Sequence, residues 1–127
     1  MTARKIEISV GQLQASAELA ENDTADAIWE ALPFEGYVNR WGEEIYFNIP
    51  VAIEISPDAR QEMKIGELAY WPGGSAFCIF FGPTPVSLAG EPRAYTDVNP
   101  FGMILGDATS FTETADGETI KVAQAQA

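Results

Sequence analysis

The chain is 127 residues long, one domain's worth of sequence, because a single hydrophobic core is built from ~50–200 residues. Its 46% hydrophobic and 11% aromatic content is enough to bury a core, which sets aside the disordered and fibrous classes. With 7 Lys and Arg against 19 Asp and Glu, a formal charge of -12, no His and one Cys, nucleic acid and anionic membranes are poor partners. The same counts exclude His–carboxylate triads, Cys–His dyads, intrachain disulfides and His/Cys zinc clusters.

Met1-Thr2-Ala3-Arg4-Lys5 runs into an alternating stretch rather than a continuous apolar one, so no signal peptide is predicted, and no run approaches a bilayer span. Together with one unpaired thiol, Cys78, this predicts a cytoplasmic protein. Ile6, Ile8 and Val10 share one strand face, and Leu13, Ala15, Ala17 and Leu19 share another. Gly11-Gln12 between them predicts a hairpin. Over residues 23–32, Asp23 suits a cap and Ala25, Ile28, Trp29 and Leu32 form one apolar stripe. This predicts a short helix, stopped by Pro33 and packed over an opening of a sheet structure.

Residues 43–49 alternate Glu43, Ile45, Phe47 and Ile49 against Glu44, Tyr46 and Asn48, and Val51, Ile53 and Ile55 continue the pattern past a bend at Pro50. Glu43 and Glu44 point to opposite faces and read as solvated strand charges. Residues 67–71 and 76–81, joined by Pro72-Gly73-Gly74-Ser75, predict a central hairpin. Its second strand, Phe77-Cys78-Ile79-Phe80-Phe81, is apolar on both faces. Phe77, Ile79 and Phe81 are assigned to the interior, and Cys78 and Phe80 lie under either a helix or a partner chain, the latter most simply a twofold homodimer. Residues 90–100 are rich in Pro, Gly and polar side chains and predict a long functional surface loop. A strand over 101–105, a single turn over 107–111 and a last strand over 118–122 follow, and 123–127 should fray. The prediction is one domain, 1–127, ordered over 4–122 and mainly β, with about eight strands in a barrel or sandwich.

Trp41-Gly42-Glu43-Glu44-Ile45-Tyr46-Phe47, and the run from Gly66-Glu67-Leu68-Ala69-Tyr70-Trp71-Pro72-Gly73-Gly74 through Phe81-Gly82-Pro83-Thr84-Pro85, resemble the small prokaryotic cyclophilin-like family. The likeness extends to the opening hairpin, to the 24–33 helix and to Pro92-Arg93, Val98-Asn99 and Gly102. It implies a closed or nearly closed antiparallel β-barrel with one or two short helices capping its ends. The larger cyclophilins that isomerise X–Pro bonds use an arginine beside an apolar proline pocket, with a glutamine, a tryptophan and a histidine nearby. This chain has no histidine, and neither the catalytic arginine motif nor the Phe-Met-x-Gln segment maps onto it, so no catalytic residue is carried over.

Rotating an amide means crossing ~18–20 kcal/mol, and a donor aimed at the prolyl nitrogen stabilises the twisted state. Arg40, beside Trp41, and Arg93, in the Pro-rich segment, are the arginines placed to line a groove; Arg4 and Arg60 read as ordinary strand-end and turn charges. Most of the aromatic residues belong to the core, with Trp41 and Trp71, each beside a Gly or Pro, as the exceptions. The predicted site is a ligand groove of Arg40, Trp41, Tyr46, Arg93 and Asn99. It takes a small molecule or a proline-containing peptide without metal or cofactor. The alternative is a peptidyl-prolyl isomerase using one of the two arginines.

Overall fold

The computed structural model describes residues 4–125. The alternating N-terminal residues form the hairpin of β1 (Lys5–Val10) and β2 (Leu13–Leu19), with Ile6, Ile8, Val10, Ala17 and Leu19 on the buried face. Helix α1 (Asp23–Ala31) follows. Its cap is Asn22, whose side chain accepts from Ala25 N at 2.8 Å, and not Asp23, which is the first helical residue. Ile28 is fully buried, and Trp29 and Leu32 pack against the same core.

The remaining strands are β3 (Phe34–Tyr37), β4 (Asn39–Arg40), β5 (Glu44–Asn48), β6 (Arg60–Glu62), β7 (Glu67–Trp71), β8 (Ala76–Phe80), β9 (Arg93–Leu105) and β10 (Thr119–Gln124). Short 3-10 turns cover Pro72–Gly74 and Ala108–Glu113. The sheet has 10 strands rather than about eight, with order β3-β10-β1-β2-β9-β7-β8-β5-β4, and β6 pairs with β9 off this path. The first and last strands of that path are separated in sequence by Val38 alone. Val38 N donates to Glu118 O at 2.9 Å and Val38 O accepts from Gly117 N at 2.8 Å. The chain thus crosses from one end of the sheet to the other within one residue, and the sheet curls into a nearly closed antiparallel barrel.

Inside lie Ile45, Phe47, Leu68, Tyr70, Phe77, Ile79, Phe81, Phe101 and Phe111 with the aliphatic faces of β1, β2 and β10. Phe77 is the hub of an aromatic cluster, its ring centroid 5.3 Å from Phe47, 5.0 Å from Phe101 and 6.1 Å from Phe34.

The segment 90–100, expected as a surface loop, is largely strand. β9 runs unbroken from Arg93 to Leu105. Pro100 is accommodated at an irregularity: Leu68 pairs with Gly102 but Ala69 with Pro100, which leaves Phe101 as the extra residue of a bulge where a missing N–H breaks no ladder bond. The predicted strand past Pro50 is absent. Residues 51–55 lie outside any ladder, and side chains satisfy part of their backbone instead. Tyr70 Oη donates to Val51 O at 2.6 Å and accepts from Ile53 N at 3.3 Å, while Asn99 holds Glu54 O and Ser56 N.

Neither a helix nor a second chain is needed over Cys78 and Phe80. The first half of β9 leaves the barrel wall, pairs with β6, and lays Ala94, Val98 and Met63 over Ala69, Ala76, Cys78 and Phe80 as a second, outer cluster. The predicted fraying of 123–127 does not hold where the chain is described. Gln124 pairs with Ile6, and Ala125 N donates to Lys5 O at 2.9 Å; residues 1–3 and 126–127 lie outside the described residues.

Candidate functional site

The outer cluster is covered on one side only, and the uncovered remainder is a groove of about 460 Å³. Strand alternation decides its lining. On β5, Ile45 and Phe47 face the barrel, so Glu44 and Tyr46 face out; on β8, Phe77 and Ile79 face in, so Cys78 faces out. The wall opposite is β9, through Ala94, Tyr95, Thr96 and Val98, and Trp71 and Trp41 complete the lining.

Four aromatic rings meet edge to face around the groove. Tyr95 is 6.4 Å from Trp41 and 6.1 Å from Trp71, and Tyr46 is 6.1 Å from Trp71, at interplanar angles of 70–87°. Two glycines make the placement of the tryptophans feasible. Gly42 has φ +60°, and a Cβ there would meet Pro85 Cδ at 2.8 Å and Thr84 Cα at 2.9 Å, so only glycine lets the Trp41 turn dock against 83–85. A Cβ on Gly74 would meet the Trp71 ring at 2.7 Å, so the Pro72–Gly74 turn serves as the bed of that indole.

The floor carries the chemistry. Glu44 is only 5% exposed, and its Oε1 has no hydrogen-bond partner among the described residues. Burial pushes its carboxyl up to about 8, and a hydrogen bond with the Cys78 thiol lowers it by a smaller amount. Burial, and then the neighbouring Glu44, hold the Cys78 thiol well above its ordinary range. At neutral pH the groove therefore contains a protonated carboxyl and a protonated thiol among apolar walls. No group of three or more His, Cys, Asp or Glu residues able to hold a metal is found among the described residues.

The five residues predicted for a groove do not converge. Trp41 and Tyr46 line it. Arg40, one residue earlier than Trp41, points the other way: its guanidinium lies 5.1 Å over the Phe81 ring. It donates to Gly42 O at 2.6 Å, Thr112 O at 3.0 Å, Thr114 O at 2.7 Å and Glu43 Oε2 at 2.6 Å, so it ties the 3-10 turn to β4. Arg93 begins β9, pairs with Glu91 at 3.7 Å and is not part of the lining. Asn99 is fully buried and accepts from Ser56 N at 2.8 Å, donating to Glu54 O at 2.9 Å and Thr24 Oγ1 at 3.3 Å. It pairs in register with Tyr70 and fastens the 54–56 segment and α1 to the barrel.

Glu44, expected as a solvated charge, is the groove's buried acid. Its sequence signal is its place on a strand facing the doubly apolar run 77–81: Glu44 pairs with Phe80, so whatever covers Phe80 also covers Glu44. Arg60, expected as an ordinary turn charge, makes a two-pronged pair with the carboxylate of buried Glu67.

The antiparallel barrel thus carries capping helical turns and, on its outer wall, a groove whose polar atoms are few. The cyclophilin-like family profile matches residues 4–123, and the chain belongs to that family. It is similar to a hypothetical protein from Archaeoglobus fulgidus solved in solution: 35% identity, a TM-score of 0.82, and coverage of 97% of this chain and 95% of that one. No curated protein matches the chain.

Proposed function

We propose that this chain is a small-molecule binding module and that the groove floored by Glu44 and Cys78 is its site. The observation that carries this reading is the unpaired, buried Glu44 Oε1 in a groove lined by four aromatic rings. A buried acceptor without a partner costs ~1–3 kcal/mol, which a ligand donor would recover. The remaining lining supplies apolar contact, the usual division of labour in a ligand pocket. The cytoplasm, as a reducing compartment, suits the buried free thiol.

Prolyl isomerisation draws less support. It asks for a guanidinium free to reach a prolyl nitrogen, and the Arg40 side chain is committed to backbone carbonyls and Glu43. A proline-containing peptide remains a candidate occupant, because aromatic grooves accept proline rings.

A thermal-shift screen over metabolites and proline-containing peptides tests the reading. A ligand at 100 times its Kd stabilises by ~2.7 kcal/mol, and the Trp71→Ala variant should lose the shift. Stabilisation by no compound class, or a shift that survives Trp71→Ala and Glu44→Gln alike, would remove the groove as the site.

A further inference from the structure

Resting on the reading of the groove as a binding site, we propose that its ligand is a compact protonated amine, with an ammonium N–H donating to Glu44 Oε1 and its carbon substituents packed on Trp41, Trp71, Tyr46 and Tyr95. The argument starts from what the groove lacks. Among its lining residues there is one carboxyl and no arginine or lysine, so an anionic ligand would meet no cation and would face Glu44. Glu44 Oε1 is an acceptor without a donor, which a ligand N–H fills.

What surrounds that acceptor favours a cation over a neutral donor. Aromatic faces attract ammonium groups by their quadrupole, most strongly where the ion is desolvated, and four rings meet here at 6.1–6.4 Å. The chain's -12 formal charge raises the local concentration of cations. A quaternary ammonium would satisfy the rings but leave Oε1 unpaired, so an amine retaining at least one N–H is the better fit.

Charge balance makes the proposal measurable. The titratable groups that share the groove with Glu44 are the Cys78 thiol of β8, the Tyr95 phenol of β9 and, on its own strand, the Tyr46 phenol. Burial holds Glu44 protonated up to about pH 8. An entering ammonium keeps its own proton and expels the carboxyl proton to solvent: R–NH3+ and Glu44–COOH become the ion pair R–NH3+ and Glu44–COO−, plus H+. Amine affinity therefore rises about tenfold per pH unit below this point and levels off above it.

The test uses cyclohexylmethylammonium and its neutral counterpart cyclohexylmethanol, titrated calorimetrically at about pH 6 and at about pH 9, on either side of the Glu44 titration. Buffers of different ionisation enthalpy count the released protons. The amine should bind more tightly than the alcohol, tighten with rising pH and release close to one proton at the lower pH. Glu44→Gln should abolish both the pH dependence and the preference for the amine. Thermal unfolding of the variant confirms that it folds. Any one of these results overturns the inference: an alcohol binding as tightly as the amine, amine affinity flat or falling with pH, or undiminished amine binding by Glu44→Gln. In the first the groove still binds, so the broader reading stands. If neither compound binds at millimolar concentration the ammonium inference also falls, and the metabolite screen then decides the broader reading.

Discussion

The two faces of β8 solve different problems with the same strand. Phe77 and Ile79 look into a barrel filled with aromatic and aliphatic side chains, where Phe77 touches three other rings. Cys78 and Phe80 look outward into a thinner layer under β6 and β9, which holds a thiol, leaves a groove and encloses an acid with one unpaired oxygen. The inner face is built for stability. The outer face gives some of it up, because burying a polar atom without a partner is unfavourable, and a fold keeps such a feature most readily where something else is meant to supply the partner.

The largest expected effect belongs to the inner face. Phe77→Ala should destabilise the protein by ~4 kcal/mol in urea unfolding, since it opens a cavity among rings that cannot all collapse into it. A loss below ~1 kcal/mol would mean that the barrel interior is as forgiving as the groove wall. Glu44→Gln tests the outer face and should have the opposite sign. Between the ordinary carboxylate value of 4.5 and about 8, Glu44 is ionised in the unfolded chain and protonated in the folded one. The unfolded state binds fewer protons, so stability falls as pH rises through that window. Removing the ionisable group should leave stability nearly unchanged at low pH and gain stability relative to the parent as pH rises through the window, read as diverging melting curves.

Asn99→Ala should cost about 2 kcal/mol, because Ser56 N and Glu54 O lose the partner that replaces a ladder. Amide exchange should accelerate first over 54–56 rather than in the groove. Smallest is Cys78→Ala, at about 1 kcal/mol, the loss of a small apolar group from a layer with space beside it. In the parent protein the raised thiol should stay unreactive to thiol reagents until unfolding.

Much of the barrel was legible because alternation is a local signal. The β1–β2 hairpin, the inward set Phe77, Ile79 and Phe81, and the opposite facing of Glu43 and Glu44 all follow from a period of two. Segment 90–100 looks like a loop in sequence because Pro and Gly normally end strands, whereas Pro100 sits at a bulge that pairing with β7 creates. The site was half legible for the same reason. Trp41 and Tyr46 are recognisable as aromatic residues near strand ends, but residue type alone does not say which face Arg40 and Asn99 occupy. Alternation sets Asn99 on the inward face with Tyr70, whereas Val98 faces the outer cluster. That Glu44 is buried depends on β9 crossing the outer wall, a long-range event to which the doubly apolar run 77–81 is the one sequence clue.

The one-residue seam at Val38 also orders events in time. Among the described residues β3 has β10 as its only ladder partner, and β1 lies between β2 and β10, so two strands made early wait for one made much later. Until residues 119–124 exist, β1 and β3 each present a row of unpaired amides and carbonyls, and the ring cannot shut. Such distant pairing is slow to form, since the chain loses its freedom before the contacts that compensate are in place. During synthesis β1 and β3 therefore depend on β10, and the growing chain has no smaller barrel in which to rest.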